Sequence, residues 1–403
     1  MTDSTGLVET PPPDLPPTSS GWPQRVAGLG TSTGKALLLP TLAFISALVV
    51  GGLIIALTDL DALRRLGSEP GAALGNMVNG ILRAYRALFV GAVGSVRAIS
   101  ETLFVGTPLI FAGLGVALGF RAGLFNIGAQ GQIQIGAMAA VAVGIYVTVP
   151  AIVHIPLALL AGMFGGIIWG GIPGLLKART GAHEVITTIM LNFVAVYLMQ
   201  WLLTIPLFQQ PGRNNPVSMP VAETARLPLL FGPPYRVTIA FLIAVGAVFL
   251  LRWLIFRSSL GFELRATGFN QQAARYAGMN VSTLVVLAMA LAGGLAGVTG
   301  ANQIMALPPY DASPALAGTV GFDAITVALL GRSHPIGVLW SALLFGALKA
   351  GGRTMQAQAG VPLDLIVVLQ ALIVMFVAAP ELVRTIYRVR TGSARLTPAG
   401  DGS

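Results

Sequence analysis

Long apolar blocks alternate with short polar ones along most of this chain. Ala36–Thr58, Thr102–Phe120, Ile133–Val153, Val185–Phe208 and Val281–Ala306 each run for about twenty residues without Asp, Glu, Lys or Arg. At about 1.5 Å per residue, a helix of that length crosses about 30 Å of hydrocarbon. The pattern predicts an all-α polytopic membrane protein with about ten transmembrane helices. They fall over residues 36–58, 102–120, 131–150, 153–176, 184–206, 236–256, 282–306, 320–331, 335–352 and 362–382. The eighth and ninth are short, since Ala324–Leu330 and Pro335–Leu348 are each too brief for an ordinary span. They are expected either as two crossings or as one re-entrant hairpin buried in protein, and both return the chain to the same side.

Composition agrees. Apolar residues make up 55% of the 403 positions and charged residues 10%, against roughly a quarter charged in a soluble domain. The formal net charge of +9 does not point to nucleic acid, because the cations are scattered between apolar runs and form no stripe. Fifty glycines fit helices that approach closely in lipid. With no cysteine, disulfides, thiolate metal sites and a cysteine nucleophile are excluded. Residues 1–34 carry Pro11-Pro12-Pro13 and Pro16-Pro17 and no basic segment before an apolar core. They read as a disordered polar tail, not a signal peptide. Residues 386–403 read as a second disordered tail, which leaves 35–385 as the membrane domain.

Cations near the span ends set the expected orientation. With both termini cytoplasmic, Lys35, Arg121, Lys177, Arg179, Arg257, Arg265, Arg275, Arg332, Arg384, Arg388, Arg390 and Arg395 lie inside. Arg64, Arg65, Arg83, Arg86 and Arg97 then lie outside, in a loop over 59–101 long enough to escape the rule. Within that loop Leu74, Met77, Ile81, Leu82, Tyr85, Leu88 and Phe89 recur at helical spacing, predicting an amphipathic helix on the outer surface of the bundle or at the membrane interface. The proline-rich stretch 207–235 is expected as an external loop without regular structure. Phe125-Asn126-Ile127-Gly128 is echoed by Phe322-Asp323-Ala324-Ile325 in a span of opposite direction, as an inverted repeat requires.

Several polar groups fall inside or beside these spans. Asn126, Gln130 and Gln132 stand among Gly123, Gly128 and Gly131 at a span start. Unpaired amides are costly in lipid, so they are expected to face the bundle interior. There they either line a pathway for hydroxyl-rich or base-bearing ligands, which uncharged amides suit, or hold helices together. Glu184, Thr187, Thr188 and Asn192 share roughly one helix face. Thr187 and Asn192 are further pathway candidates, while Glu184 reads as an anion favoured by a helix N-terminus. Asp323 is an acid near a membrane segment, with a pathway role and helix capping both open to it. His154, His183 and His334 show no metal-ligand spacing. No phosphate loop of the form Gly-x-x-x-x-Gly-Lys-Ser/Thr occurs, so ATP chemistry by that route must come from a partner.

The polar loop 257–281 runs Ser258-Ser259-Leu260-Gly261-Phe262 through Gly278. On physical grounds it is either a plain connection or a short docking helix. Gln272-Ala273-Ala274-x-x-x-Gly278 is similar to the Glu-Ala-Ala-x-x-x-Gly signature of bacterial ATP-binding-cassette (ABC) importer permeases, with Gln in place of Glu. Three further stretches resemble the permease family that includes ribose, branched-chain amino acid and nucleoside importers. They are Gly123–Gln132, Glu184–Asn192, and Gly321–Gly331 with His334-Pro335. In combination they most resemble the subgroup handling nucleosides and related sugars.

The resemblance implies a multi-pass permease subunit of a bacterial cell membrane, without a cofactor of its own. It would pair with a second, homologous or identical permease, a cytoplasmic ABC ATPase that binds the ATP, and an extracytoplasmic substrate-binding lipoprotein. It also implies a coupling contact with the ATPase through Arg265, Gln272, Ala273, Ala274 and Gly278. A pentose, another sugar or a branched-chain amino acid is the alternative cargo. An ion-coupled secondary transporter is the alternative machine.

Overall fold

The computed structural model describes residues 41–378, all as helices and connections, with α1 at Thr41–Thr58. The helices that follow are α2 (Leu60–Arg65), α3 (Pro70–Val93), α4 (Val96–Arg121), α5 (Ala129–Tyr146), α6 (Ala151–Thr180) and α7 (Glu184–Leu202). After them come α8 (Ala240–Arg257), α9 (Ser259–Phe269), α10 (Gln271–Tyr276), α11 (Val281–Ala306), α12 (Val320–Leu330), α13 (Pro335–Ala359) and α14 (Leu363–Ala378). The expected tails at 1–34 and 386–403, and the cations Lys35, Arg384, Arg388, Arg390 and Arg395, lie outside the described residues.

Seven helices, α1, α4, α6, α7, α8, α11 and α13, are long and apolar enough to cross a membrane. The remaining predicted spans correspond to α5 with 18 residues, α12 with 11 and α14 with 16. The helices look apolar on nearly every side, as lipid-embedded segments do. α7 buries Thr188, Asn192, Ala195 and Met199 and turns Ile186, Met190, Phe193, Tyr197 and Trp201 outward.

Close approaches fix the helix directions. Gly162, Gly166 and Gly170 of α6 meet Gly297, Gly293 and Met289 of α11 in reverse order, so these two helices are antiparallel. Gly106 and Gly113 of α4 meet Ala342 and Val338 of α13 in the same way. Thr299 of α11 bonds to the Pro108 carbonyl while Ala292 of α11 faces Gly115, so α4 and α11 are also antiparallel. Two series result, α4–α7 and α11–α14, whose successive helices run in opposite senses. Their packing is reciprocal. α4 lies on α13 and α12, α11 lies on α6 and α5, and α4 and α11 touch each other. This is the architecture expected of an inverted repeat. The two echoed motifs stand at the N-terminal ends of α5 and α12, the second helix of each series.

The α6–α11 seam sets backbone directly against backbone. A Cβ on Gly166 would sit 2.0 Å from the Gly293 carbonyl oxygen, one on Gly293 2.2 Å from that of Gly166, and one on Gly297 2.1 Å from that of Gly162. Gly162, Gly166, Gly170 and Gly174 recur every four residues, so one face of α6 presents bare backbone. Dispersion between backbones and lateral fit drive helix association where lipid offers no hydrophobic contrast.

Two expectations change in the structure. The 59–101 stretch is α2, α3 and the first turn of α4, and α3 does not lie across the surface. It runs antiparallel to α1 and packs along α13, burying Ala73, Met77, Ala84, Leu88, Gly91 and Ala92. The inward face is the small one, because Gly91 and Gly351 bring the two backbones together. Leu74, Val78, Leu82 and Phe89 point outward. Second, α13 has 25 residues, so the 320–352 region is one short helix followed by one full span and not a pair of equals. The 207–235 segment has no regular structure beyond a 3-10 turn at Glu223–Ala225, and it is pinned over one end of the bundle. Ser218 N–H donates to the Ala312 carbonyl, Val221 to Tyr310, Ala222 to Gly144 and Leu227 to Met305, all at 2.8–2.9 Å.

Gly297→Leu places a side chain where only backbone fits. It is expected to lower the midpoint of heat inactivation in detergent by about 5 °C or more. Gly246→Ala, on the open side of α8 with nothing within 4 Å of an added Cβ, is expected to leave it unchanged or raise it slightly. Equal midpoints for wild type and Gly297→Leu would disprove the seam's importance.

Candidate functional site

Chemistry in this bundle concentrates where helices start inside it. After α4 ends at Arg121 the chain turns back through Ala122–Gly128, and α5 begins partway up the bundle. α12 likewise begins beside α5, with its Gly321 packed against Gln130. The first N–H groups of any helix lack partners, and an unmet donor in hydrocarbon costs several kcal/mol, of order 2–7. The amides predicted from sequence meet that demand. Asn192 Oδ1 accepts from Gly131 N at 2.8 Å, and its Nδ2 donates to the Ile127 carbonyl at 3.0 Å. Gln130 Oε1 accepts from Gly321 N at 3.0 Å, and its Nε2 donates to the Gly318 carbonyl at 2.7 Å. Asn126 and Gln132 exchange two side-chain hydrogen bonds at 3.1 and 3.3 Å, and Asn126 Oδ1 also accepts from Gly128 N.

The structure therefore brings Asn126, Gln130, Gln132 and Asn192 together, all buried, and joins α5 to α7 and α12 through them. Their hydrogen bonds run within the chain, as the helix-holding alternative requires. Thr187 stands apart on the rim of α7, with its hydroxyl donating to the carbonyls of His183 and Glu184. Glu184, at the N-terminus of α7, is ion-paired with Lys177 at 2.6 Å.

Asp323 lies in the first turn of α12 and pairs with Lys349 of α13, both mostly buried. Thr319 Oγ1 donates to the same carboxylate oxygen at 2.8 Å. Lys349 was missed in the sequence reading, although it is the one charge within the predicted span 335–352. An intramembrane cation calls for an acid, and Asp323 sits on the neighbouring helix. The acid that an ion-coupled mechanism would use is therefore already neutralised by a fixed partner.

At the end of the bundle holding Arg121 and Arg332, α9 and α10 form a platform. Asn270 caps α10, its Oδ1 accepting from Gln272 N at 2.9 Å and Ala273 N at 3.1 Å. That cap leaves Gln272 exposed, so no acid is needed at that position to start the helix. Ala273 and Ala274 do not share a face. Ala274 is buried and Ala273 is exposed. Gly278 ends the platform in the left-handed region, at φ +84°. Two aromatic side chains stand out of it, Phe269 at 88% and Tyr276 at 94% exposure.

The platform is seated on the bundle by backbone contact and by stacked rings. A Cβ on Gly268 would lie 2.3 Å from the Arg121 carbonyl oxygen. Arg265 does not point outward. Its guanidinium lies over the Phe256 ring at 5.4 Å, with Arg121 at 5.6 Å and His334 stacked on Phe256 at 5.2 Å. Arg121 Nε also donates to the Ser333 carbonyl at 2.9 Å. The platform thus touches the end of α4 directly and is linked to the turn between α12 and α13 through Arg121 and Phe256.

Known proteins are similar in sequence along most of this length. The chain is 36% identical over 350 residues to the guanosine ABC transporter permease protein NupP of Bacillus subtilis, covering 86% of this chain and 94% of that protein. It is 35% identical over 360 residues to the glucose ABC transporter permease protein TsgB13 of Haloferax volcanii, covering 87% and 89%. It is 33% identical over 307 residues to the nucleoside ABC transporter permease protein NupB of Lactococcus lactis subsp. cremoris, covering 74% and 84%. The family described as the permease component of the branched-chain amino acid transport system matches residues 98–378, from the first turn of α4 to the end of α14. With a match of that extent, the chain belongs to the branched-chain amino acid transport system permease-component family.

Proposed function

We propose that the chain is the permease subunit of an ABC importer that carries nucleosides across a bacterial cell membrane. The observation that carries the cargo is the 36% identity to a guanosine permease along 86% of the chain. A sugar is the second reading, favoured by the 35% identity to a glucose permease over a similar length. In both, the cargo is neutral and rich in hydroxyl groups. It reaches the subunit from an extracytoplasmic binding protein and passes beside a second permease of the same family.

The platform of α9 and α10 is the entry point for energy in this reading. Phe269 and Tyr276 are large, amphipathic or apolar, and almost wholly exposed, the character of anchors that fill pockets on a partner. An ATPase holding them moves the platform, and the platform bears directly on α4, whose Arg121 is bonded to the α12–α13 turn. ATP is bound and hydrolysed by that partner, and the permease converts its movement into helix displacement. Asn126, Gln130, Gln132 and Asn192 keep α5, α7 and α12 tied while this happens. Of the residues first proposed for the pathway, these serve as its frame, and Asp323 with Lys349 is its charged element.

Proteoliposomes holding the permease pair and the ATPase, supplied with the binding protein, are expected to accumulate radiolabelled guanosine only when ATP reaches the ATPase. Accumulation that follows a proton or sodium gradient and ignores ATP would sink the proposal. A Phe269→Ser, Tyr276→Ser double variant is expected to lower ATPase recovery on the tagged permease about tenfold or more, with membrane insertion intact. Gly278→Val, strained by roughly 1–2 kcal/mol at positive φ, is expected to weaken the same contact. Undiminished ATPase recovery with the double variant would remove the platform from the coupling role.

A further inference from the structure

A cavity of about 530 Å³ opens where α3 gives way to α4, at the end of α4 opposite the α9–α10 platform. Its walls carry Arg97 and Glu101 of α4, Arg353 of α13, and Arg236 ahead of α8. Three guanidinium groups thus share the space with one carboxylate. That carboxylate is already engaged, since Glu101 accepts from Arg236 Nη1 at 3.2 and 3.5 Å. The Arg236 guanidinium also lies over the Phe104 ring at 4.3 Å. Ser100 Oγ accepts from the Arg236 and Val237 N–H groups at 2.8 and 3.1 Å, which fixes this corner of the cavity.

Arg97 and Arg353 are different. Both are exposed, so a solute reaches them, and neither has a hydrogen bond or an ion pair among the described residues. Lys177 and Lys349 are each given an acid by a neighbouring helix, whereas this cavity has two cations and no acid left for them. Like charges lining one concavity concentrate its potential and draw in an anion. The start of α4 adds to that field. The first N–H groups of a helix lack partners within it. Ser95, which lines the cavity at the N-cap, meets only that of Ala98, at 3.1 Å. The positive end of a 26-residue helix therefore borders the same space as the two arginines.

We propose that this cavity binds a phosphate group, held by the guanidinium groups of Arg97 and Arg353 beside the first turn of α4. A planar guanidinium matches phosphate oxygens two at a time, which a lysine cannot do. The inference does not depend on the cargo read above. Phosphate meets a membrane protein in two forms, as a lipid headgroup and free in solution, and both offer the same oxygens. The rim of the cavity favours the lipid. Val90 and Val93 of α3 and Val96 and Ile99 of α4 are exposed around it. Acyl chains cover such side chains while the headgroup stands among the arginines, as in other basic pockets at membrane surfaces.

The test uses the full-length chain, purified in neutral detergent with the subunits that accompany it. Native mass spectrometry follows the binding of added phosphatidylglycerol to wild type, to the Arg97→Ala, Arg353→Ala double variant, and to an Arg64→Ala, Arg65→Ala control. The control removes the same charge from α2, where both arginines are exposed. The cavity variant is expected to bind the lipid about tenfold or more weakly, and the control to bind it as the wild type does. Calorimetric titration of inorganic phosphate into the same proteins tests the other source. A tenfold loss there, with the lipid unaffected, supports the site and assigns it to soluble phosphates. Arg97→Gln and Arg353→Gln, each at an exposed position, serve singly where the double variant does not assemble. A wild type that binds neither probe overturns the site, and so does an equal loss in the cavity variant and the control. If the cavity variant keeps both probes and loses only affinity for an added binding protein, the arginines serve a protein contact and the phosphate site is overturned.

Discussion

The bundle depends on two helices touching through their backbones. α6 and α11 meet over Gly162, Gly166 and Gly170 on one side and Gly293 and Gly297 on the other, so close that no Cβ fits between them. In lipid, burying apolar side chains gives little reason for helices to associate, and close lateral fit has to supply it. The same seam receives α5, whose Gly136 lies against Gly297 and whose Ile133 carbonyl faces Gly300. Across the bundle the reciprocal seam, α4 on α13, is built around Gly106 and Gly346. Helices locked this way leave few positions free to give. Movement is then confined to whole helices shifting against one another.

That rigidity makes interior helix starts tolerable. α5 and α12 begin inside the bundle, where each exposes N–H groups that lipid cannot meet. Fixed neighbours hold Asn192 and Gln130 within hydrogen-bond distance of those donors. Two consequences follow for transport. The end of α12 is coupled to α5 by a specific pair of bonds to Gln130, and it carries the Asp323 carboxylate that holds Lys349. A shift of α12 relative to α13 therefore disturbs an ion pair and an amide clamp together.

Much of this was legible in the sequence, though unevenly. Charge-free runs locate the long helices because hydrocarbon thickness sets their length, and the span at 184–206 matches α7 closely. The amides were visible as costly residues in apolar runs, but spacing along one helix does not reveal a partner on another. Asn192 and Gly131 are 61 residues apart. α3 misled for a physical reason. Its amphipathic pattern pointed to a surface helix, whereas α3 packs along α13, with Gly91 brought against Gly351 and Thr354. The Gln-Ala-Ala motif coincides with a short helix, α10, yet it implied a shared small face, and the six-residue helix separates Ala273 from Ala274. Lys349 was missed because it looked like a minor irregularity within an otherwise apolar span.

The platform reaches the rest of the bundle through packed ends. α9 lies against the end of α4, where Gly268 meets the Arg121 carbonyl, and against α11. Arg121 in turn donates to the Ser333 carbonyl of the α12–α13 turn, and His334 of that turn stacks on the Phe256 ring that Arg265 also faces. A push on the platform is received by α4 and α11 first, and passes to α12 and α13 through Arg121 and Phe256. α4 is packed to α13, and α11 to α6, through bare backbone. Neither seam can yield by rearranging side chains, so displacement at the platform end is carried along whole helices to the opposite end of the bundle.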